Sequence, residues 1–397
     1  MHERADTMTE GRKDMTRNTG YDRYIGQLFH TVIVQPTSFC NANCSYCYLP
    51  GRKARNEMPI EVAEAVAVGI SRQGSTEPVD VVWHGGEPLA LGLSGFERRL
   101  QPFERLRCDG LVEHSVQTNG TLVDQHWCRL FRDYGVRVGV SIDGPQGANV
   151  DRVDWVGRPI FDRIMRGITA LRDQRIPFSV IAVVTPQTIG DPAGLLEFLG
   201  GLGAVRVGFN LEEHEGLNTA RAMIDADAAE AFWGTVISHR RGRGGGPRVR
   251  ELEALASYLA RARTGRKEEW NYAPHDPIPT VAWNGDTVLL SPELLGIRAP
   301  AYDDFVVGNV RQELLTSMLE RAPSVRYVRE FVAGLTACEA TCAFFAFCRG
   351  AQAGNRYFEH GTFAVTETAH CRNTRQALVR ALASSITDQK ETIDDRS

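Results

Sequence analysis

The chain has 397 residues, 45 Lys+Arg against 49 Asp+Glu, a formal net charge of −4, and 43% hydrophobic against 24% charged residues. That profile excludes a disordered or fibrous chain, and its near-neutral balance gives no electrostatic reason to expect a nucleic-acid partner. No apolar run reaches the roughly 20 residues that cross a bilayer, and Met1–Gly20 lacks the apolar core of a secretory signal, so a cytoplasmic protein with no membrane partner is expected.

Residues 1–28 are rich in Arg, Asp, Thr and Gly without apolar periodicity, and are expected to be a flexible N-terminal segment. Short β-branched runs then alternate with helical stretches. The runs are Thr31–Thr37, Val79–His84, His114–Thr118, Val136–Ile142, Phe178–Thr185 and Ala204–Asn210. The helical stretches between them are Pro59–Arg72, Ser94–Leu106, Val123–Tyr134, Ile160–Gln174 and Pro192–Gly201. Strands alternating with helices predict an α/β fold with a parallel sheet. A closed eight-fold barrel needs two more units than the pattern supplies, so a partial (β/α)6 barrel is expected over 29–215.

Residues 216–271 read as a helical bridging region. It is interrupted by the Arg/Gly run Arg240–Pro247, which reads as an exposed linker rather than a docking site for an acidic peptide. The texture changes again over 272–397. Val281–Leu290 predicts a small hairpin turning at Asn284-Gly285, and a closing helix is expected over Arg372–Ser385.

Nine cysteines stand at 40, 44, 47, 108, 128, 338, 342, 348 and 371, seven of them in two groups. An odd count in a long chain without a secretory signal points to metal or redox chemistry rather than a disulfide framework. Cys108 and Cys128 have no cysteine at ligand spacing and are expected to be small core residues. Cys40-x3-Cys44-x2-Cys47 follows the first strand directly, at the end of the strands where such folds keep their chemistry. Three thiolates leave one iron of a cubane cluster with an open position; a zinc ion completed by a distant histidine is the competing reading. Cys338-x3-Cys342-x5-Cys348-x22-Cys371 offers four thiolates, enough to close either a cubane or a zinc site.

The first group and the segments after successive strands resemble the radical S-adenosylmethionine (SAM) enzymes. The matching segments are Trp83-His84-Gly85-Gly86-Glu87-Pro88, Gln117-Thr118-Asn119-Gly120 and Ser141-Ile142-Asp143-Gly144-Pro145. The resemblance implies a [4Fe-4S] cluster on Cys40, Cys44 and Cys47, its open iron chelated by SAM, and one-electron cleavage of SAM to a 5′-deoxyadenosyl radical. It implies a SAM site made by Tyr46 against the adenine, Gly85, Gly86 and Glu87 at the amino group, Gln117 and Asn119, Ser141 and Asp143, Arg152 toward the SAM carboxylate, and Ile181. The second group resembles the C-terminal SPASM extension of these enzymes, implying one auxiliary [4Fe-4S] cluster on Cys338, Cys342, Cys348 and Cys371. Where fuller SPASM patterns carry further cysteines, this chain has Ser291 and Gln352, so no catalytic base is carried over from the sulfatase-maturating relatives.

The segments Ser291–Gly296, Phe305–Val310, Cys348-Arg349-Gly350, Asn355-Arg356-Tyr357, Glu359–Phe363 and Asn210–Gly216 resemble one branch in particular, the cyclophane-forming, FxsB-like maturases of ribosomal peptides. That implies hydrogen abstraction from a side-chain β-carbon of a precursor peptide carrying a leader, and an aromatic-ring to Cβ crosslink. It also implies an electron donor such as flavodoxin or ferredoxin. The competing readings are a sulfatase-type maturase that makes formylglycine, a thioether-forming peptide maturase, and a non-enzymatic zinc scaffold.

Overall fold

A computed structural model describes residues 20–242, 246–271 and 273–394. In chain order the elements are α1 (Tyr21–Tyr24), β1 (Thr31–Val34), α2 (Ile60–Arg72), β2 (Val79–Trp83), α3 (Leu93–Leu100), α4 (Glu104–Cys108), β3 (Val112–Thr118), α5 (Gln125–Asp133), β4 (Arg137–Ser141), α6 (Phe161–Asp173), β5 (Phe178–Val184), α7 (Pro192–Gly201), β6 (Arg206–Leu211), α8 (Ala226–Gly242), β7 (Arg248–Val249), α9 (Arg250–Arg263) and α10 (Lys267–Asn271). The C-terminal part adds β8 (Thr280–Val281), β9 (Asp286–Val288), β10 (Gly308–Asn309), α11 (Leu315–Arg321), α12 (Arg326–Thr341), α13 (Phe345–Cys348), α14 (Ala353–His360), a π-helical turn over Cys371–Gln376, and α15 (Ala377–Asp394).

Strand alternation builds two faces. In β5, Phe178, Val180, Ala182 and Val184 are buried, while Ile181 and Val183 line a cavity. The helices cover the opposite face with apolar stripes, as in α2, where Val62, Ala63, Val66, Ala67 and Ile70 are buried. Asp124 starts α5 by accepting from the His126 and Trp127 amides, and Asp191 starts α7 by accepting from Gly194 N. Strands β1 to β6 are parallel neighbours in chain order, as the alternation predicts.

The sheet is wider than six strands. Its order is β10-β9-β8-β1-β2-β3-β4-β5-β6-β7, open at both edges. At one edge the two-residue β7 pairs in parallel with β6, within the stretch read as purely helical; two residues are too short to leave a periodic signal. At the other edge β8 pairs in parallel with β1, and β8–β9 is the expected hairpin, with Gly285 at φ +96° in its turn. The sheet therefore crosses the boundary drawn at 271/272.

Three further expectations are corrected. Residues 1–19 and 243–245 lie outside the described residues, so the N-terminal segment and the Arg/Gly run are described only in part. Residues 20–28 are tied down: Tyr21 and Tyr24, i and i+3 on a single helical turn, are buried, as is the extended Ile25 that follows. Tyr24 Oη donates to Glu339 Oε2 at 2.6 Å, and Gly26 N to His275 O at 2.8 Å. The helix expected over Ser94–Leu106 breaks into α3, a 3-10 turn at Gln101–Phe103 and α4, because Pro102 lacks the amide the helix interior needs. Cys108, at the end of that short α4, is exposed rather than in the core, whereas Cys128 is buried.

Candidate active site

The loop of residues 35–58 after β1 carries the first three cysteines, and hydrogen bonds within it and from residues 153–155 hold it. Cys40 N donates to Arg52 O at 3.0 Å, Asn43 N to Val153 O at 2.7 Å, and Trp155 Nε1 to Cys40 O at 2.7 Å. Gly86, at φ +64°, lets the loop close on the end of β2: a Cβ there would lie 2.5 Å from Thr37 O and 2.6 Å from Phe39 O. On the other side, Gly216 lies against Tyr48, where a Cβ would come within 2.3 Å of Tyr48 O.

Cys40, Cys44 and Cys47 line a cavity of about 550 Å³ at the C-terminal ends of β1 to β6. Of the ten residues expected to hold SAM, Tyr46, Gly86, Glu87, Gln117, Asn119, Ser141, Arg152 and Ile181 line the same cavity. Gly85 and Asp143 do not. Gly85 packs on Gln35, turning the chain at φ +89°. Asp143 lies behind the wall and is fully engaged. It accepts from Arg152 Nε and Nη2 at 2.8 and 2.7 Å, from Tyr46 Oη at 2.6 Å, and from Val183 N at 2.9 Å. Its carboxylate thus orients Tyr46 and Arg152 rather than meeting a ligand, holding Arg152 through Nε and Nη2.

Polar side chains of the wall are cross-braced. Gln117 Nε2 donates to Ser141 Oγ at 2.8 Å. Gly139 leaves the room for it, since a Cβ there would lie 2.2 Å from Gln117 Oε1. Glu87 accepts from Thr118 Oγ1 at 2.7 Å, Asn119 N at 2.8 Å and Leu89 N at 3.1 Å. Burial outweighs these bonds and pushes its carboxyl up to about 7. Burial also holds His84 neutral, down to about 4, beside Tyr48 Oη at 3.0 Å.

The same cavity is also lined by residues outside the expected SAM set: Glu213, Glu215, Glu251, Glu293, Gln352, His370 and Arg375. Glu213 accepts from Asn355 Nδ2, and His370 Nδ1 lies 2.7 Å from Glu213 Oε2. Ser291 Oγ donates to Glu293. Burial above all raises all three carboxyls, with the charges of Glu293 and Glu359 adding to the rise of Glu213 and those of Glu213 and Glu293 to that of Glu215. The sequence signal was the acidic run Glu212-Glu213-His214-Glu215 directly after β6, which puts Glu212, Glu213 and Glu215 on the cavity wall.

A second, narrow cavity is lined by Cys338, Cys342, Cys348 and Cys371, with Phe344, Phe345, Arg356, Thr368 and Gln376. The consecutive residues His370 and Cys371 line the two different cavities, so a single backbone step separates them. Among the described residues no three or more of His, Cys, Asp and Glu converge where a single metal ion would sit. Burial pushes the Cys40 thiol up to about 12 and those of Cys44 and Cys348 to about 11, so thiolates at these positions need a cationic centre to hold them. Three cysteines on the larger cavity and four on the narrow one are donor sets that fit two iron–sulfur clusters, one with a free coordination position and one without.

Residues 34–199 match the model of the Radical SAM superfamily. An uncharacterized protein, sll1766, of Synechocystis sp. is 32% identical over 372 residues, covering 89% of this chain and 91% of that one. The serine-type anaerobic sulfatase-maturating enzyme of Klebsiella aerogenes is 33% identical over 185 residues, 44% of this chain and 45% of that enzyme, so less than half of its length is matched. Two solved structures share the fold: native anSMEcpe with bound AdoMet and Cp18Cys peptide (TM-score 0.72, 18% identity, 91% of this chain and 99% of that one) and Streptococcus suis SuiB bound to precursor peptide SuiA (TM-score 0.65, 17% identity, 86% and 76%). Cysteines gathered at the strand ends, the parallel sheet and these matches lead to one conclusion: the chain belongs to the radical SAM superfamily.

Proposed function

We propose that this protein modifies a ribosomally made precursor peptide, joining an aromatic ring carbon to the β-carbon of a nearby residue. The observation that carries this reading is that the Cys40, Cys44 and Cys47 thiols and the buried carboxyls of Glu213, Glu215 and Glu293 line one and the same cavity. The relatives support a peptide substrate, since anSMEcpe and SuiB are each described with a bound peptide. When bound, a [4Fe-4S] cluster on the three cysteines and SAM supply a carbon-centred radical able to take a hydrogen atom from an unactivated C–H bond.

In this reading Tyr46, Gly86, Glu87, Gln117, Asn119, Ser141, Arg152 and Ile181 hold SAM, and Asp143 orients two of them. Residues 29–215 form the SAM-binding unit, 216–271 a bridging region, and 272–397 a SPASM-like unit holding one auxiliary [4Fe-4S] cluster on Cys338, Cys342, Cys348 and Cys371. Crosslinking removes two hydrogens from the peptide. Beyond the abstracted atom, one electron and one proton must leave. Glu213 lines the cavity and would take that proton in its ionised form; burial, with Glu293 and Glu359 nearby, raises its carboxyl to about 8, so the base form is favoured only above neutral pH. The adjoining cysteine cavity is placed to take the electron, and a small reduced carrier such as flavodoxin or ferredoxin supplies the first one.

The match to a sulfatase-maturating enzyme over 185 residues favours a second reading, oxidation of a Ser or Cys side chain to formylglycine. Anaerobic co-expression with the short peptide encoded beside the gene, followed by fragmentation mass spectrometry, separates the two. A product lighter by two hydrogens, with no fragments between an aromatic residue and a downstream partner, is expected. Normal fragmentation with one oxidised Ser or Cys side chain would move the protein to the formylglycine class.

A further inference from the structure

Arg356, on α14, is only 2% exposed, yet among the described residues no carboxylate pairs with it. Its guanidinium is held by backbone: Nη1 donates to Phe363 O at 3.2 Å and Nη2 to Gly350 O at 2.9 Å. Nη2 also lies 3.4 Å from Cys338 Sγ, and the guanidinium sits 5.0 Å from the centre of the Phe331 ring. The side chain lines the cavity of Cys338, Cys342, Cys348 and Cys371. Two glycines make its berth. A Cβ at Gly334 would lie 2.0 Å from Arg356 Nη1, and one at Gly350, already at φ +91°, would lie 3.2 Å from Nη2.

A buried guanidinium without a counter-charge is costly, and removal from water is repaid only by an anion nearby. Among the described residues, the ionisable groups that face it are the sulfurs of Cys338, Cys348 and Cys371, beside the neutral carbonyls of Phe363 and Gly350. Four thiolates around an oxidised cubane leave a centre of net charge about −2, one unit more negative when reduced. A cation whose N–H reaches one of those sulfurs favours the reduced form by attraction and by hydrogen bonding to sulfur.

We propose that Arg356 is the built-in counter-charge of an anionic iron–sulfur centre on Cys338, Cys342, Cys348 and Cys371, and that it raises the reduction potential of that centre. The inference rests on the reading of these four cysteines as cluster ligands. It makes Arg356 a positioning and tuning residue that touches no substrate, and it gives the centre the bias of an electron acceptor.

The test uses the full chain with Cys40→Ala, Cys44→Ala and Cys47→Ala, reconstituted anaerobically with iron and sulfide, so that one centre remains. About four irons and four sulfides per chain are expected. A redox titration followed by electron paramagnetic resonance then compares Arg356, Arg356→Lys and Arg356→Met at equal iron content. The midpoint potential should fall in Arg356→Met and stay near the parent in Arg356→Lys, which keeps the charge. An unchanged potential in iron-loaded Arg356→Met would overturn the proposal, as would a fall in Arg356→Lys as large as in Arg356→Met. If Arg356→Met cannot hold iron, Arg356→Gln, which keeps N–H donors without charge, takes its place and should also titrate lower. A parent chain that binds no iron would sink the cluster reading itself, and Arg356 with it.

Discussion

Arg152 and Asp143 face each other through two hydrogen bonds of 2.7 and 2.8 Å in a pair whose side chains are 6% and 1% exposed. Arg152 lines the cavity and Asp143 stands behind it, also holding Tyr46 and the amide of Val183. Asp143→Ala would strand the guanidinium without its partner. A loss of about 3–5 kcal/mol in urea unfolding is expected, the range for breaking a buried pair by removing one member. SAM binding, measured by calorimetry on the reconstituted protein, should weaken as Tyr46 and Arg152 lose their fixed orientation. A variant as stable as the parent would show that the pair is not what positions this wall.

Glu87 gives a pH-dependent prediction. Its carboxyl is raised by burial from the ordinary range to about 7. Between about pH 4.5 and 7 the folded protein therefore holds a proton here that the unfolded chain has released, so the contribution of this group to stability falls as pH rises. Glutamine does not titrate. The stability of Glu87→Gln relative to the parent should shift in the variant's favour by up to about 3 kcal/mol across that window in the metal-free protein, then level off above pH 7. A relative stability independent of pH would contradict this.

Gly86→Ala should disturb the cysteine loop more than it disturbs the fold. The added Cβ would press on Thr37 O and Phe39 O, at a φ that alanine adopts only with strain of order 1–3 kcal/mol. The expected outcome is a chain that retains its circular dichroism but, after reconstitution, loses about four of an expected eight irons. Full iron content would mean that the loop adapts.

Cys342→Ala separates the two cavities functionally. Peptide-dependent 5′-deoxyadenosine formation should persist near the parent level while the modified peptide disappears. Normal amounts of product from this variant would remove the adjoining cysteine set from the electron path.

Glu213→Gln should preserve peptide-dependent SAM cleavage and lower product yield on the order of 10²-fold or more, the range for removing a general base. Glu213→Asp should recover part of the loss and displace the pH–rate profile. Equal effects on SAM cleavage and product would instead assign Glu213 to peptide binding.

Much of this was legible before any coordinates. The alternation of short β-branched runs with amphipathic stretches located β1 to β6 within a few residues, because period-2 and 3.6-residue patterns persist where a sheet and its covering helices share one core. The gathering of Cys40, Gly86, Gln117 and Ser141 at one cavity followed from their common place at strand ends. What escaped was set by long-range packing. Tyr21 and Tyr24 are buried by α12, some 300 residues away in sequence, and no local pattern points to it. Asp143 looked like a ligand because its position in the loop is right. Only the fold reveals that Arg152, Tyr46 and Val183 already consume its lone pairs. The carboxyl cluster on the cavity wall joins Glu213 and Glu215 after β6 to Glu293 after β9, a meeting that spacing along the chain cannot express.

The pairing of β8 on β1 bears on how this protein can be dissected. Residues after 271 hydrogen-bond to the first strand of the parallel sheet, through Ile33 and Val34 opposite Thr280 and Val281. A fragment ended at the bridging region would bare that strand's outer edge, with its apolar residues and unpaired amides, as a template for intermolecular strand addition. The C-terminal third is therefore a structural flank of the barrel as well as the carrier of a cysteine cavity. A dissection that preserves the sheet would have to retain the β8–β9 hairpin and the strand β10 beside it, and excise only the segment from α11 onward.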